Sequence, residues 1–440
     1  MSSQVSPNYT QTTFGQIAKK LVNGGTPPTE IAQFWNGKIP WITGADFTTN
    51  GIGEFRRFVS ETAIAQTATN LIDQGQLLLV TRTGVGKLAI APCDIAISQD
   101  ITGVYPDTEK VDVRFLYHRM RLGVEELKKL NQGTSINGII RSDLFAYPIQ
   151  LPALPQQRRI AEILSTLDEA IEQTEALIAK HQQIKAGLMH DLFTRGVTPD
   201  GRLRPTREQA PGLYKESPLG WIPKEWDTAT LSERGRSGRP HLKTGPFGSS
   251  LKIEHWVEQG HPVITIGALG EGEFIQPELL FVGNATAQRL LEYQLEVGDV
   301  VFSRVADVGR SAVILGQHKG WIMSSNLMRI SLDQTKVRAA YLQSQLAHDS
   351  RVRAQIRATV NAGGRDVANS QILNRLLFAW PQPDEQTRIL DRVEALDGKR
   401  QAETSYLNNL IKLKHGLMHD LLTGRVQVNS APVSFVSAVR

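Results

Sequence analysis

The 440 residues carry 40% hydrophobic and 21% charged side chains, a formal net charge of +5, and a single cysteine, Cys93. That length predicts about three folding units at about 150 residues each, and the composition excludes general disorder. One thiol excludes a disulfide framework and any cysteine-built zinc cluster. No run approaches 18 apolar residues, and the opening MSSQVSPNYTQTTFGQ lacks the basic-then-apolar pattern of a secretion signal, so a soluble, cytoplasmic chain is expected.

Residues 1–153 read as a β-rich globular segment with helices. GQLLLVTRT (75–83), KLAIAP (87–92) and DIAIS (94–98) are short strands punctuated by Gly and Pro. A helical stretch (113–130) and a polar Gly/Asn turn (131–138) follow. Residues 154–195 predict one long helix. Ile160, Leu164, Leu167, Ile171, Ile178, Leu188 and Leu192 fall on a 4/3 spacing, Pro155 marks the start and Gly196 the stop. Residues 196–215, in a Pro/Gly-rich polar run, read as a linker.

Residues 216–381 repeat the first layout. GDVVFSRV (298–305), SAVILG (311–316) and WIMSSNLMRIS (321–331) take the place of the earlier strands, followed by a helical stretch (336–358) and a polar turn (359–370). Residues 382–424 predict a second long helix with its own seam, Ile389, Val393, Leu396, Leu407, Leu410, Leu417 and Leu421. Pro381 and Pro383 stand at its start, Gly424 at its stop, and residues 425–440 form a tail. Pairing 156–197 with 385–426 at an offset of 229 needs no gap and gives 14 identities in 42 pairs, including GLMHDL at both 187–192 and 416–421. The fold class is therefore α+β, with a pseudo-two-fold internal repeat. Each helix, at about 35–38 residues, is about 55 Å long. A leucine seam can pack on its own domain. Two matched seams favour helix on helix, and connectivity then makes the pair antiparallel, with the globular segments at opposite ends.

The charge is spread along this plan. Segments 1–153, 154–195, 196–215, 216–381 and 382–440 carry +1, −1, +2, +2 and +1. A polyanion footprint must then be a local patch rather than a basic tail. The candidates lie in loops. Arg82, Thr83 and Lys87 share a hairpin in the first half; Arg304, Arg310, Ser325 and Asn326 sit near its counterpart, and Lys243 lies on a Gly/Pro loop. Asn137 with Arg141, and Asn361 with Arg365, follow the polar turns. Arg and Asn match the donor geometry of guanine and adenine edges, whereas Lys and loop amides suit phosphates.

Signals for catalysis are poor. Gly84-Val85-Gly86-Lys87-Leu88-Ala89 fits G-x-G-x-x-A in letters only, because Pro92 and a second strand follow where a phosphate-binding helix should begin. His415 and His419 lack the carboxylate of an H-E-x-x-H site, and Ala186 stands where His415 would recur; no metal site is expected. His190-Asp191 and His419-Asp420 recur near the helix ends and read as a structural cap or docking surface. A G-x-S-x-G elbow, a nuclease carboxylate cluster and a methyltransferase N-P-P-F/Y motif are all missing.

These features resemble the specificity subunit of type I restriction-modification systems over nearly the whole chain. The resemblance is carried by Gly25-Thr26-Pro27, FWNGKIPWITGADF (34–47), YPIQLPALPQQRRIAEIL (147–164), SPLGWIPKEWD (217–227) and both GLMHDL blocks; WPQPDEQTRIL (380–390) and the C-terminal tail depart from it. It implies two target recognition domains alternating with two helical regions, in a non-catalytic chain that reads double-stranded DNA. Each domain would read one half of a bipartite, asymmetric target. The helices would fix the spacing and dock two DNA-methyltransferase subunits. No cofactor is expected on this chain. S-adenosylmethionine would sit on the methyltransferase subunits, and ATP and Mg²⁺ on restriction (motor-nuclease) subunits. Membrane partners are not expected. Lengthening either helix by a turn should change the spacer, and Arg304→Ala should weaken one half-site. The repeat and seams also fit a coiled-coil protein–protein adaptor that never touches DNA, which salt-dependent duplex binding separates from the first reading.

Overall fold

The computed structural model describes residues 9–48, 51–123, 128, 138–139, 141–247, 250–305, 308–362 and 368–428, with the side chains of 360–362 excepted. The chain divides into two compact units, 1–178 with 403–440, and 179–402. Each takes in one globular segment and a stretch of both long helices.

In the first unit, the apolar runs seen in the sequence become a four-stranded sheet ordered Ala18–Asn23, Ile101–Pro106, Leu77–Val80, Leu88–Ile90, all antiparallel. Every side chain of Leu77–Val80 is buried, one face against Phe14, Val104 and Phe115, the other against Ile42, Ile72 and Ile97. A strand buried on both faces reads as a continuous apolar run rather than an alternation. The second sheet is ordered Phe58–Val59, Ile39–Ile42, Ile95–Ile97, Asn70–Ile72, and its central pair is parallel.

The second unit repeats this plan. Its antiparallel sheet runs Leu242–Thr244, Leu327–Ile330, Val300–Ser303, Ser311–Val313. Beside it lies a sheet in which His261–Ile264 pairs in parallel with Ile322–Met323. WIMSSNLMRIS thus holds two strands, one for each sheet. The stretch expected to be helical over 336–358 forms two helices, Ala339–His348 and Ser350–Ala362. Its counterpart forms Val113–Leu122.

The long helices exceed the sequence expectation: Leu154–Thr194 has 41 residues and Pro383–Leu422 has 40, about 60 Å each. Pro155 and Pro383 lie inside the first turns, where a missing amide costs nothing. Past the ends, Gly196 and Gly424 adopt φ of 68° and 73°, the left-handed stop that glycine suits.

Within each unit the helices run antiparallel. Asp168 meets Lys414 and Gln156 reaches Val428 in the first; Lys185 meets Asp397 and Val197 reaches Glu385 in the second. The predicted seam residues are all buried or half-buried. Near the globular segments the seam joins the domain core. Ile160 and Leu164 pack with Met418, Leu421 and Phe115, while Leu192 packs with Ile389, Val393 and Phe302. Helix-on-helix and helix-on-domain packing, alternatives in the sequence, are one core here.

The 196–215 connector is ordered. Arg204 is buried and bonds both Glu385 carboxylate oxygens, its Nη2 at 2.9 Å from Oε2. The same carboxylate accepts from the Val197 amide at 2.9 Å and Trp226 Nε1 at 3.1 Å.

Candidate nucleic-acid interface

The candidate polar residues gather where the antiparallel sheet of each unit ends. In the first unit the Leu77–Val80/Leu88–Ile90 hairpin turns through Gly84 and Gly86, with φ of 88° and 92°. A side chain at either would be strained. Asp100 anchors the turn: its carbonyl accepts from the Thr81 amide at 2.8 Å and its carboxylate from the Thr83 hydroxyl at 3.3 Å. Lys87 donates to the carbonyls of Gly44 at 2.9 Å and Phe47 at 3.4 Å, so its ammonium ties two loops together. Ile139 donates its amide to Thr81 O at 2.8 Å, which brings the segment after the polar turn against the hairpin. Arg82 is exposed at this rim, and its guanidinium has no partner among the described residues. Arg141 opens the short helix Arg141–Ala146 and lies over the Phe145 ring, 5.3 Å from its centroid.

The second unit builds the same rim from different side chains. Ala368 donates its amide to Arg304 O at 2.7 Å, as Ile139 does to Thr81. Arg304 is spent on architecture: its Nε donates to Ala368 O at 3.2 Å and its Nη1 to Ser325 O at 3.3 Å, while its amide donates to Asn326 O. Arg310 donates to Leu269 O at 3.0 Å. Lys243, expected on a loop, is instead the middle residue of the strand Leu242–Thr244; it pairs with Glu292 at 2.6 Å and lies over the Tyr293 ring. Asn326 is exposed and Ser325 half-buried. Asn137, Arg365 and the Asn361 side chain lie outside the described residues. The candidates therefore divide by task. Arg82, Arg141 and Asn326 face solvent, whereas Lys87, Lys243, Arg304 and Arg310 hold protein groups.

Sequence reasoning missed two duplicated devices, though both lie among the 14 identities. Gln157 is buried at the start of the first long helix. Its amide donates to Lys110 O and Pro152 O at 3.0 and 2.9 Å and accepts from the Asp112 amide at 3.0 Å. Gln386 repeats this with Lys336 O, Pro381 O and the Arg338 amide at 3.0, 2.8 and 2.8 Å. Each glutamine locks a long helix onto its globular segment. The second device is an ion pair across the helices, Asp168–Lys414 in one unit and Lys185–Asp397 at 2.6 Å in the other. Burial pushes the Lys414 ammonium below its ordinary range, and the bond to Asp168 opposes that.

His118 is buried beside the Asp168–Lys414 pair, its Nδ1 3.8 Å from Asp168 and its Nε2 3.4 Å from Ser165 Oγ. Burial pushes its pKa down to about 4, with Lys414, Arg121 and Arg114 adding to the effect and Asp168 opposing it. The folded chain keeps this ring neutral, whereas an unfolded histidine titrates near 6.5. Its contribution to stability is therefore whole above about pH 6.5 and drains away as pH falls toward about 4. Urea unfolding should show a lower midpoint at pH 5 than at pH 7, and His118→Gln should flatten that difference. An undiminished difference in the variant would refute the assignment.

The paired sheets and antiparallel helices define a class, the two-repeat S-subunit fold. A crystal structure of the type I restriction-modification system S subunit from M. genitalium matches with a TM-score of 0.59 at 17% identity, over 96% of this chain and 97% of that one. A second type I R-M system structure matches with a TM-score of 0.57 at 16% identity, over 96% of this chain and 100% of the other. Residues 8–182 match the family model for the type I restriction modification DNA specificity domain. The MjaVIII specificity subunit of Methanocaldococcus jannaschii is 20% identical over 93% of this chain and 91% of its own length; the EcoR124I/EcoR124II specificity subunit of Escherichia coli is 31% identical over 36% and 40%. The chain is thus similar to type I restriction-modification specificity subunits in sequence over residues 8–182 and in fold over nearly its whole length. Among the described residues, no helix is long and apolar enough to cross a membrane, and no group of three or more His, Cys, Asp or Glu is placed to hold a metal ion.

Proposed function

We propose that this chain is the non-catalytic DNA reader of a type I complex. Residues 1–153 and 216–381 are its two target recognition domains, each reading one half of a bipartite, asymmetric duplex target. Residues 154–195 and 382–424 are the spacer helices, joined through the 196–215 connector. The helices set the separation of the half-sites and dock two methyltransferase subunits. Those partners carry S-adenosylmethionine, restriction subunits carry ATP and Mg²⁺, and all work in the cytoplasm.

One observation carries the reading. Both units end their sheets in the same backbone-anchored rim, through Ile139 on Thr81 and Ala368 on Arg304, yet the side chains offered there differ. A shared scaffold with unlike surfaces is what two readers of different sequences require. A protein adaptor has no need of it.

The test is duplex binding by the chain together with its methyltransferase subunits, on a target taken from modification mapping of the host. Arg82→Ala should cost about 1–3 kcal/mol on the duplex carrying the first unit's half-site and nothing once that half-site is scrambled. Equal loss on every duplex would make Arg82 a phosphate contact, and no duplex binding by the wild-type complex would end the proposal.

A further inference from the structure

Two apolar side chains stand apart in exposure among the described residues. Ile253 is 89% and Phe247 85% exposed, whereas the next, Tyr406, is 56%. An exposed apolar residue needs no explanation by itself. Phe247 differs in how it is held. The Gly245 amide donates to Leu327 O at 2.9 Å, and a Cβ at Gly245 would fall 1.9 Å from Ser324 O, so only glycine fits. Pro246 is buried with its φ fixed by the ring. Beyond the phenyl ring, Phe247 O accepts from the Ser250 amide at 2.8 Å. The backbone is fastened on both sides while the ring stands in water.

Its place is the rim described above, since Gly245 abuts Ser324 and Ser325, and Arg304 holds Ser325 O. Ser324 and Ser325 are polar and Arg304 is cationic, the chemistry of a nucleic-acid contact rather than of the apolar centre of a protein interface. Ile253 is set differently, in the short turn Ile253–His255, where the Glu254 carboxylate pairs with Lys252 at 3.8 Å. The first unit puts Gly24 in the same position, its amide on Ile101 O at 3.3 Å. There the loop continues through Thr26, whose hydroxyl bonds Gln99 at 2.5 Å, and offers no aromatic ring.

We propose that Phe247 is an apolar wedge that enters the duplex at the half-site read by the second unit and packs on the faces of a base step. The assignment rests on the DNA-reading function above and adds a named base contact to it. Aromatic rings stack on any base, and wedges at a base step offset the cost of unstacking by the surface they bury.

Phe247→Ala, assembled with the methyltransferase subunits, is tested on the mapped target with 2-aminopurine placed along the second half-site. Affinity should fall about tenfold. The slope of log K against log salt should stay at the wild-type value, because no phosphate contact is lost. The fluorescence rise that accompanies wild-type binding should vanish. Unchanged affinity and fluorescence overturn the wedge, and so does a loss traced by size-exclusion chromatography to failed assembly with the methyltransferase, which would make Phe247 a protein contact. In both of those outcomes wild-type binding to the target persists; its absence would instead sink the DNA-reading function itself.

Discussion

Adding four residues to both long helices, between Asp168 and Lys185 and between Asp397 and Lys414, should lengthen the spacer of the recognised target by about two base pairs and leave both half-sites as they are. Four helical residues add about 6 Å, and base pairs stack at about 3.4 Å. The matched change is required by the paired ion bridges. Seventeen positions separate Asp168 from Lys185, and seventeen separate Asp397 from Lys414, while Asp168 binds Lys414 and Lys185 binds Asp397. An insertion in one helix alone makes the two intervals unequal, so only one bridge can keep its partner. The sequence argument allowed either helix to be lengthened; the bridges add that a single insertion should lower the melting temperature as well. Modification mapping of cells carrying the matched variant reads the spacer directly. Altered half-sites with an unchanged gap would defeat the ruler.

The second large effect is on folding. Glu385 is buried at the start of the second long helix and receives Arg204, the Val197 amide and Trp226 Nε1. Glu385→Ala would leave the buried Arg204 guanidinium with only the Arg195 carbonyl at 3.0 Å and the exposed Glu225 at 3.7 Å, and would strand two further donors. Removing one member of a buried pair costs about 3–5 kcal/mol, much of it the unpaired charge left behind. Arg204→Met alone strands the carboxylate, although Val197 and Trp226 still donate to it, so its loss should be smaller. Denaturant unfolding of both variants at pH 7 orders the two effects, and a cost below about 1 kcal/mol for Glu385→Ala would show that the connector is not held by this carboxylate.

The legible part of this chain was what repetition and period write into it. The 229-residue offset, the two seams and the glycine stops gave the paired helices and the doubled plan, because a long helix must place an apolar residue every third or fourth position. The same offset aligned Gln157 with Gln386, Asp168 with Asp397 and Lys185 with Lys414. Polar matches at that offset were legible in the sequence, but their partners, Lys110 and Asp112 for Gln157, lie about 45 residues away. No local pattern reports such a pairing. The rim residues were harder still. Arg82 and Arg304 look alike as loop arginines, yet one faces solvent and the other is held by two carbonyls. That distinction depends on which backbone oxygens the fold brings near, and loop composition does not encode it. Phe247 passed unnoticed because a lone aromatic in a Gly/Pro loop reads as ordinary until its exposure is seen.

Main-chain anchoring of the rims has a consequence for diversification. Ile139 and Ala368 fasten their loops through amides, which every residue but proline supplies, while Gly24 and Gly245 do so where no side chain fits. The solvent-facing side chains of the rim, Arg82, Arg141 and Asn326 among them, can then be exchanged with little penalty to folding. A population of such genes could trade or shuffle reading surfaces, acquiring new target vocabularies while the underlying chassis stays the same.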